Sequence, residues 1–390
     1  LGFHEIKLKT EKHAKAFKNP ESIFPTILLT TENKNELTLK TENLSQTVKK
    51  LGHTGTIQGT PLSPLRKATI FVKKNYILSA IERRGSNNFK IPLTNKKEIQ
   101  KYKSALKTFS NRKRDFSSDK QGMTYTKNLI KKQLTKLSKS RTSDAFFRSE
   151  RAFWEKRNRA GKTQRLRQDR LGLGWGNHDH HTYRSSREHF TDLIQILEIL
   201  GYKCRERFFA GEKAGWGAQV LEHPQCDIVI FADLDITKKE KDKDFAHKGV
   251  PNQTKLGTVG LWIGLHGESI LQAGLHHLEA RFSFNKLRKD LKKHNVKTMK
   301  PFSNFTFLKQ AFTEGERWKV KKDRLNKLFD NKSITAVQYH GFLKKGAIGS
   351  HLENLQRRQG YKGFNQRSVT AIIKAVNPLH KLKQEHHHSA

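Results

Sequence analysis

The sequence predicts an α+β protein in which a compact core is flanked by basic helical segments. The first observation is the order of elements in residues 171–237, where a strand pattern, a helix pattern and three further strand patterns follow one another. The second is an abrupt change of charge, because residues 101–170 are crowded with Lys and Arg whereas residues 171–280 are near neutral. The third is that the long apolar runs "IVIF" and "GLWIGL" both fall in the near-neutral part.

These observations divide the chain into four regions. Residues 1–96 are predicted to form a loosely structured basic arm with a small sheet, in which "ATIFV" and "YILSAI" are two strands, or one strand and a helical turn. Residues 97–170 are predicted to be a basic helical segment, since their apolar residues are spaced three or four apart. Residues 171–290 form the α+β core. Residues 291–390 are predicted to be basic and mainly helical, with short helices at 349–360 and 366–378.

The net charge makes nucleic acid the expected partner. The chain carries 77 Lys and Arg against 36 Asp and Glu, a formal charge of +41. Phosphate backbones neutralise such a surface and release counterions. An anionic membrane surface is the second expected partner, and membership of a larger nucleoprotein assembly is a third. The residues expected to contact phosphate are Lys131, Lys132, Arg148, Arg151, Lys156, Arg157, Arg159, Arg165 and Arg167.

Cysteine content and hydropathy limit the cellular compartments in which the protein is expected. Only Cys204 and Cys226 occur, without a CxxC motif, so neither a disulfide framework nor a thiolate zinc site is expected. No apolar run is long enough for a transmembrane helix, and the first thirty residues lack a signal-peptide core. We therefore expect an intracellular, reducing location: cytoplasm, organelle matrix or virion.

The core begins with the strand pattern "HDHHTYR", residues 178–184. Alternation places His178, His180 and Thr182 on one face of this strand. A capping box from Ser185 to Glu188 then predicts a helix over residues 187–200, closed by Gly201. Three strands follow, in "KCRERFFA", "WGAQVLEH" and "CDIVIFADLDI".

This unit resembles a module of the vicinal oxygen chelate superfamily, which includes glyoxalases and extradiol dioxygenases. The similarity lies in the "DHHTYR" strand, the helix that ends at "LGY" and the final "DIVIFADLDI" strand. The resemblance implies a βαβββ module that pairs with a second one. It also implies a divalent metal held by a histidine from a first strand and a carboxylate from a last strand.

Carried onto this chain, the resemblance implies His180 as the first-strand ligand and Asp235, or Asp233, as the carboxylate. A second module would begin at "TVGLWIGLHGES" with His266 as its ligand, continue with a helix in "ILQAGLHHLEARF", and close with Glu316 or Glu314. Imidazole and carboxylate ligands suit Fe, Mn, Ni or Zn. The implied activity is that of an oxygenase or isomerase.

Two other hypotheses compete with this enzyme. His178, Asp179 and His180 form a His-x-His triplet of the kind that binds metal in rolling-circle nucleases, with Tyr183 or Tyr202 as nucleophile. The core could also be an enzyme fold kept as a scaffold. The leading hypothesis is a nucleic-acid-associated protein, such as a DNA-packaging or virion protein, a ribonucleoprotein component or a mobile-element protein. The metal-dependent enzyme is the alternative.

Overall fold

The computed structural model describes residues 2–7, 15–18, 26–52 and 56–357. At the N-terminus, β1 (His4–Ile6), β2 (Lys15–Lys18) and β3 (Ile27–Leu29) form an antiparallel sheet. A second small sheet has the order β4-β6-β5 and is covered by the helix α1; its elements are β4 (Asn35–Thr41), α1 (Leu44–Lys50), β5 (Leu65–Lys73) and β6 (Tyr76–Arg83). "ATIFV" and "YILSAI" are therefore two strands of one hairpin.

Four helices follow: α2 (Lys96–Ser110), α3 (Asp119–Leu134), α4 (Lys139–Lys156) and α5 (Arg159–Asp169). Each begins after an Asn or Ser whose side chain accepts a backbone N–H of the first turn. Their apolar faces meet in one core with the back of the large sheet, where Phe146 and Phe147 of α4 are fully buried. Most of α4 is enclosed in this way, so it is a central helix and not a solvated one.

The large sheet begins with a βαβββ unit, as the sequence predicts. Its elements are β7 (His178–Arg184), α6 (Phe190–Ile199), β8 (Lys203–Phe209), β9 (Trp216–His223) and β10 (Ile228–Asp235). The strand order is β7-β10-β9-β8. Helix α6 starts three residues later than expected, because Ser186 accepts the N–H of His189, and it ends at Gly201, whose φ of 102° only glycine adopts readily.

A second βαβββ unit completes the sheet, but it starts later than the sequence suggests. The stretch "TVGLWIGLH" forms the helix α7 (Thr258–His266), which is followed by a π-helical turn (Ser269–Ala273). The unit itself consists of β11 (His277–Arg281), α8 (Phe284–Lys293), β12 (Ser303–Asn304), β13 (Leu308–Phe312) and β16 (His351–Arg357). An insertion separates β13 from β16 and contains β14 (Arg317–Trp318), α9 (Lys322–Asp330), α10 (Ala336–Lys345) and β15 (Ala347–Ile348).

The two units have the same connectivity and are joined through one pair of strands. The eight strands have the order β12-β13-β16-β11-β7-β10-β9-β8, so the second unit repeats the connectivity of the first, and β7 pairs with β11 in antiparallel fashion at the centre. The α+β fold class with βαβββ modules is thus confirmed. Strand alternation gives this sheet an apolar back, packed on α3, α4 and α6, and a front that carries polar side chains.

The helix predicted at residues 349–360 is the strand β16 as far as the structure describes it. Parallel pairing with β11 and antiparallel pairing with β13 enclose this segment on both edges, which overrides its local pattern. The helix predicted at 366–378 lies outside the described residues. Within the described ranges, no helix combines the length and apolar character needed to cross a membrane.

Candidate metal centre

Three adjacent strands bring two imidazoles and one carboxylate together at the centre of the front face. They are His180 on β7, His277 on β11 and Glu353 on β16, all buried, and their potential ligand atoms lie within 4.8 Å of one another. The Nε2 atoms of His180 and His277 are 3.2 Å apart, and Glu353 Oε2 lies 3.3 Å from His277 Nε2. The Thr182 hydroxyl is 2.9 Å from the same nitrogen. We call His180, His277 and Glu353 the three-donor group.

Strand register explains this convergence. His277 stands opposite Thr182 on β7 and opposite His351 on β16, whereas Glu279 stands opposite both His180 and Glu353. Residues two apart in a strand share a face, so the donors occupy neighbouring positions of one polar patch. Phe231 packs on the His180 ring at 4.6 Å between centroids, and Phe312 packs on the His277 ring at 5.2 Å. Aromatic side chains therefore hold both imidazoles in place.

A second group of potential ligands shares His180 but uses its other ring nitrogen. The His180 Nδ1 atom lies 3.4 Å from Asp179 Oδ2 and 3.8 Å from Glu279 Oε1. A metal-binding histidine commonly donates its second ring N–H to a carboxylate, which fixes its tautomer and orientation. The two groups are therefore interpreted as one centre, with Nε2 directed to the metal and Nδ1 directed to a supporting carboxylate.

The electrostatics of the centre suit a cation. Burial, reinforced by the charge of His180, lowers the pKa of His277 well below its ordinary value, so its imidazole is neutral and able to ligate. Burial and the neighbouring Glu353 carboxylate raise the pKa of Glu279 well above its usual range. Two carboxyl groups this close cannot both ionise without a compensating positive charge. A divalent ion would supply that charge.

The donor set decides which ions fit. His277 Nδ1 and Glu279 Oε1 are buried and have no hydrogen-bond partner in the described part of the chain, which marks the patch as incompletely satisfied by the protein alone. Two imidazoles with one carboxylate suit first-row transition ions such as Fe, Mn, Ni and Zn. Calcium and magnesium prefer all-oxygen shells. The residues present therefore fit a transition metal.

Of the four ligands predicted from the sequence, only His180 belongs to the three-donor group. Asp235 accepts the N–H groups of Gly257, Val259 and Gly260 at the start of α7. His266 lies on α7, not on a strand, with its Nε2 at 3.0 Å from the Ile348 carbonyl. Glu316 accepts the N–H of Arg159. None of these last three belongs to any group of potential metal ligands among the described residues.

His277 and Glu353 are the donors that the sequence analysis missed. The sequence predicts a helix in "ILQAGLHHLEARF", which contains His277, and another at 349–360, which contains Glu353. One signal could have found His277, because "HHTYR" in β7 and "HLEAR" in β11 both have the pattern H-x-x-x-R and both open a βαβββ unit. Glu353 carries no such signal, because Leu352 and Leu355 in "HLENL" are three residues apart, a spacing that favours a helix.

The His-x-His nuclease hypothesis does not agree with the geometry. A register shift between Glu279 and Ala280 lies opposite the start of β7, and the ring of His178 packs on His181 and not beside His180. Both candidate nucleophiles are buried at the back of the sheet, where Tyr183 donates to Glu150 and Tyr202 lies 3.2 Å from the Ser143 hydroxyl. A His178–His180 metal pair with a tyrosine nucleophile is therefore not formed.

The basic residues expected to contact phosphate are largely occupied inside the protein. Arg148, Arg151 and Arg165 converge on the buried carboxylate of Glu42, at 2.9, 3.6 and 2.7 Å. Arg157 donates to main-chain carbonyls and stacks on Trp318, and Arg167 pairs with Asp290. Only the remaining four are exposed: Lys131, Lys132, Lys156 and Arg159.

No protein-family model and no curated protein matches the sequence. Among solved structures, a variant of 4-hydroxymandelate synthase from Streptomyces coelicolor has 12% identity and a TM-score of 0.31 over 87% of this chain and 96% of its own. Methylmalonyl-CoA epimerase from Mycobacterium tuberculosis has 10% identity and a TM-score of 0.25 over 47% and 89%. A xylose isomerase-like TIM barrel/4-hydroxyphenylpyruvate dioxygenase fusion protein has 9% identity and a TM-score of 0.27 over 97% and 48%.

The prediction of a nucleic-acid-associated protein is wrong. Five of the nine side chains on which it depended are turned inward or paired within the protein. The prediction of an anionic membrane surface as second partner depended on the same side chains and is wrong for the same reason. The high charge reflects in part the arginines that the fold uses internally.

Proposed function

We propose that this protein is a metal-dependent enzyme of the vicinal oxygen chelate type that acts on a small molecule, with a divalent transition ion held by His180, His277 and Glu353. The observation that carries the proposal is the convergence of these three buried donors from three adjacent strands. Burying two imidazoles and a carboxylate costs free energy unless these groups are bonded to a partner such as a metal ion. Two histidines and one carboxylate are the ligand set of non-haem Fe(II) oxygenases, so Fe(II) is the proposed ion.

In this proposal each side chain has a separate task. The Nε2 atoms of His180 and His277 and the Glu353 carboxylate would hold the ion. Asp179 Oδ2 accepts from His180 Nδ1 at 3.4 Å, and the Glu279 carboxyl group, 3.8 Å from the same nitrogen, adds electrostatic support to the orientation of the ring. Phe231 and Phe312 exclude water around the imidazoles. A bound Fe(II) ion would supply open coordination positions for substrate and O₂.

Metal content tests the proposal directly. The purified chain is reconstituted anaerobically with Fe(II), and separately with Mn(II), Ni(II) and Zn(II), and the bound metal is measured by elemental analysis. We expect about one ion per chain, and loss of that ion in His180→Ala, His277→Ala and Glu353→Ala. His340→Ala, at an exposed position on α10, is the matched control and should retain the metal. Full metal content in all three variants would refute the centre.

A further inference from the structure

Arg184, at the end of β7, is a buried guanidinium that forms no side-chain hydrogen bond with any residue the structure describes. Its side chain is 6% exposed, and its Nε is fully enclosed without an acceptor. Other buried arginines of this protein are bonded, for example Arg112 to Glu150 and Arg187 to Glu240. A buried guanidinium N–H without an acceptor is costly in a protein interior, so such a group calls for a functional explanation.

The nearest carboxyl group forms only a long ion pair with Arg184 and accepts no hydrogen bond from it. Asp233 stands opposite Arg184 in the β7–β10 register, but its Oδ2 lies 4.0 Å from Arg184 Nε, beyond hydrogen-bond distance. Burial raises the pKa of Asp233 to about 8 even though the charge of Arg184 opposes that shift. Asp233 is therefore mostly protonated at neutral pH. The other near carboxylate, Asp235, is already occupied by three N–H groups of α7.

Arg184 shares the front face of the sheet with the three-donor group. It lies two residues beyond Thr182, about 7 Å along the strand, and the Thr182 hydroxyl touches His277. The Trp262 ring covers the guanidinium at 5.4 Å from its centroid. A small molecule at the metal centre would thus lie within reach of this cation.

We propose that Arg184 binds a carboxylate of the substrate, so that the enzyme acts on small organic monoacids; this inference rests on the proposed function. A planar guanidinium donates two parallel N–H bonds to a carboxylate. One cation matches one negative charge, whereas a phosphate dianion would add a second negative charge close to the carboxylate of Glu353. The substrate would be held by its acid group at Arg184, with its reacting part at the three-donor group.

Calorimetric titration tests the proposal with defined probes. Pyruvate and benzoate are titrated into metal-free and metal-loaded protein, with pyruvamide, benzamide and inorganic phosphate as comparisons. We expect both acids to bind the metal-free protein, and the neutral amides to bind at least tenfold more weakly. Arg184→Met should weaken acid binding at least tenfold, and Arg184→Lys should retain part of it. Arg187→Met, which removes a buried but fully bonded arginine nearby, is the matched control and should change little.

The outcomes separate this inference from the proposed function. Equal acid binding by the wild type and Arg184→Met, no acid binding by either, or tighter binding of phosphate than of the acids would overturn it. Metal content is measured in the same samples and should be unchanged in Arg184→Met. If no metal binds but acid binding still depends on Arg184, the proposed function fails and the carboxylate site stands.

A second measurement on the wild-type protein applies if Arg184→Met does not fold. Phenylglyoxal modifies arginine side chains, and peptide mass spectrometry reports the rate at each one. Benzoate should slow the modification of Arg184 at least threefold and leave the exposed Arg170 unaffected. Equal rates at Arg184 with and without benzoate would contradict the proposal.

Discussion

His180 and Glu279 face each other directly across the central β7–β11 pair, with His180 Nδ1 3.8 Å from Glu279 Oε1. This relationship connects the two βαβββ units at the position where the proposed ligands lie. It predicts that Glu279 supports His180 without itself binding the ion. Replacement by Gln keeps the size of the side chain and removes the carboxylate.

We therefore expect Glu279→Gln to weaken metal binding by about 10- to 100-fold while the protein stays folded. Affinity is measured by competition with a chelator, and circular dichroism reports the fold. An unchanged affinity would show that Glu279 has no part in orienting His180. The exposed Glu212 provides a matched control, since Glu212→Gln should leave the affinity unaltered.

The second prediction concerns Glu42, which anchors the N-terminal sheet region to α4 and α5. Burial opposes its ionisation, but the charges of Arg148, Arg151 and Arg165 outweigh burial and hold the pKa of Glu42 far below its usual range. Glu42→Gln would leave buried arginines without their counter-charge and should lower the free energy of unfolding by about 3–5 kcal/mol.

Urea denaturation at neutral pH measures this loss. Glu32→Gln is the control, because Glu32 and Lys34 form an exposed ion pair that should contribute less than about 1 kcal/mol. Similar small effects for both variants would mean that the arginine cluster contributes little to stability.

The third prediction is a loss of stability in mild acid. Burial lowers the pKa of His178 and His266 to about 3, and those of His181, His276 and His277 well below 6.5. Below pH 6.5 the unfolded chain binds protons at these positions while the folded protein does not, so stability falls as the pH decreases. Each such histidine contributes a slope of up to about 1.4 kcal/mol per pH unit.

Unfolding free energies of the metal-free protein between pH 7.5 and pH 5 give that slope. His266→Gln removes one titrating group outside the three-donor group and should make the slope shallower by about one proton. A stability that is flat over this pH range would rule out neutral buried imidazoles.

The fourth prediction distinguishes Asp235 from the proposed ligands. Because its carboxylate accepts three N–H groups at the start of α7, Asp235→Ala should destabilise the protein by about 2 kcal/mol. Metal content should not change. If a folded Asp235→Ala protein lost the metal, the sequence-based assignment of Asp235 as a ligand would be supported instead.

Local patterns were sufficient to predict the first βαβββ unit, because its strands alternate and its helix has a clear apolar stripe and a closing glycine. They were insufficient for the second unit. Its first strand follows a π-helical turn, and its last strand is separated from β13 by the insertion of residues 317–348. Glu353 becomes a strand residue only through pairing with β11 and β13, which are distant in sequence.

The net charge of the chain led to the wrong prediction of a nucleic-acid partner, because composition does not show which cations are paired inside the fold. Composition counts Arg148, Arg151 and Arg165 as surface cations, whereas the fold turns them toward one glutamate more than a hundred residues away. His180 could be singled out from its strand, but its partners could not, since convergence of side chains from three strands depends on sheet order.

The antiparallel β7–β11 pair is also the join between two halves of the chain, and the donors are divided unequally across it. The first half offers one imidazole, and the second offers an imidazole and a carboxylate. Neither half alone holds a complete set. An ion at this position would bind to side chains from both halves. Ion binding would therefore require that both halves are folded and paired in the correct register.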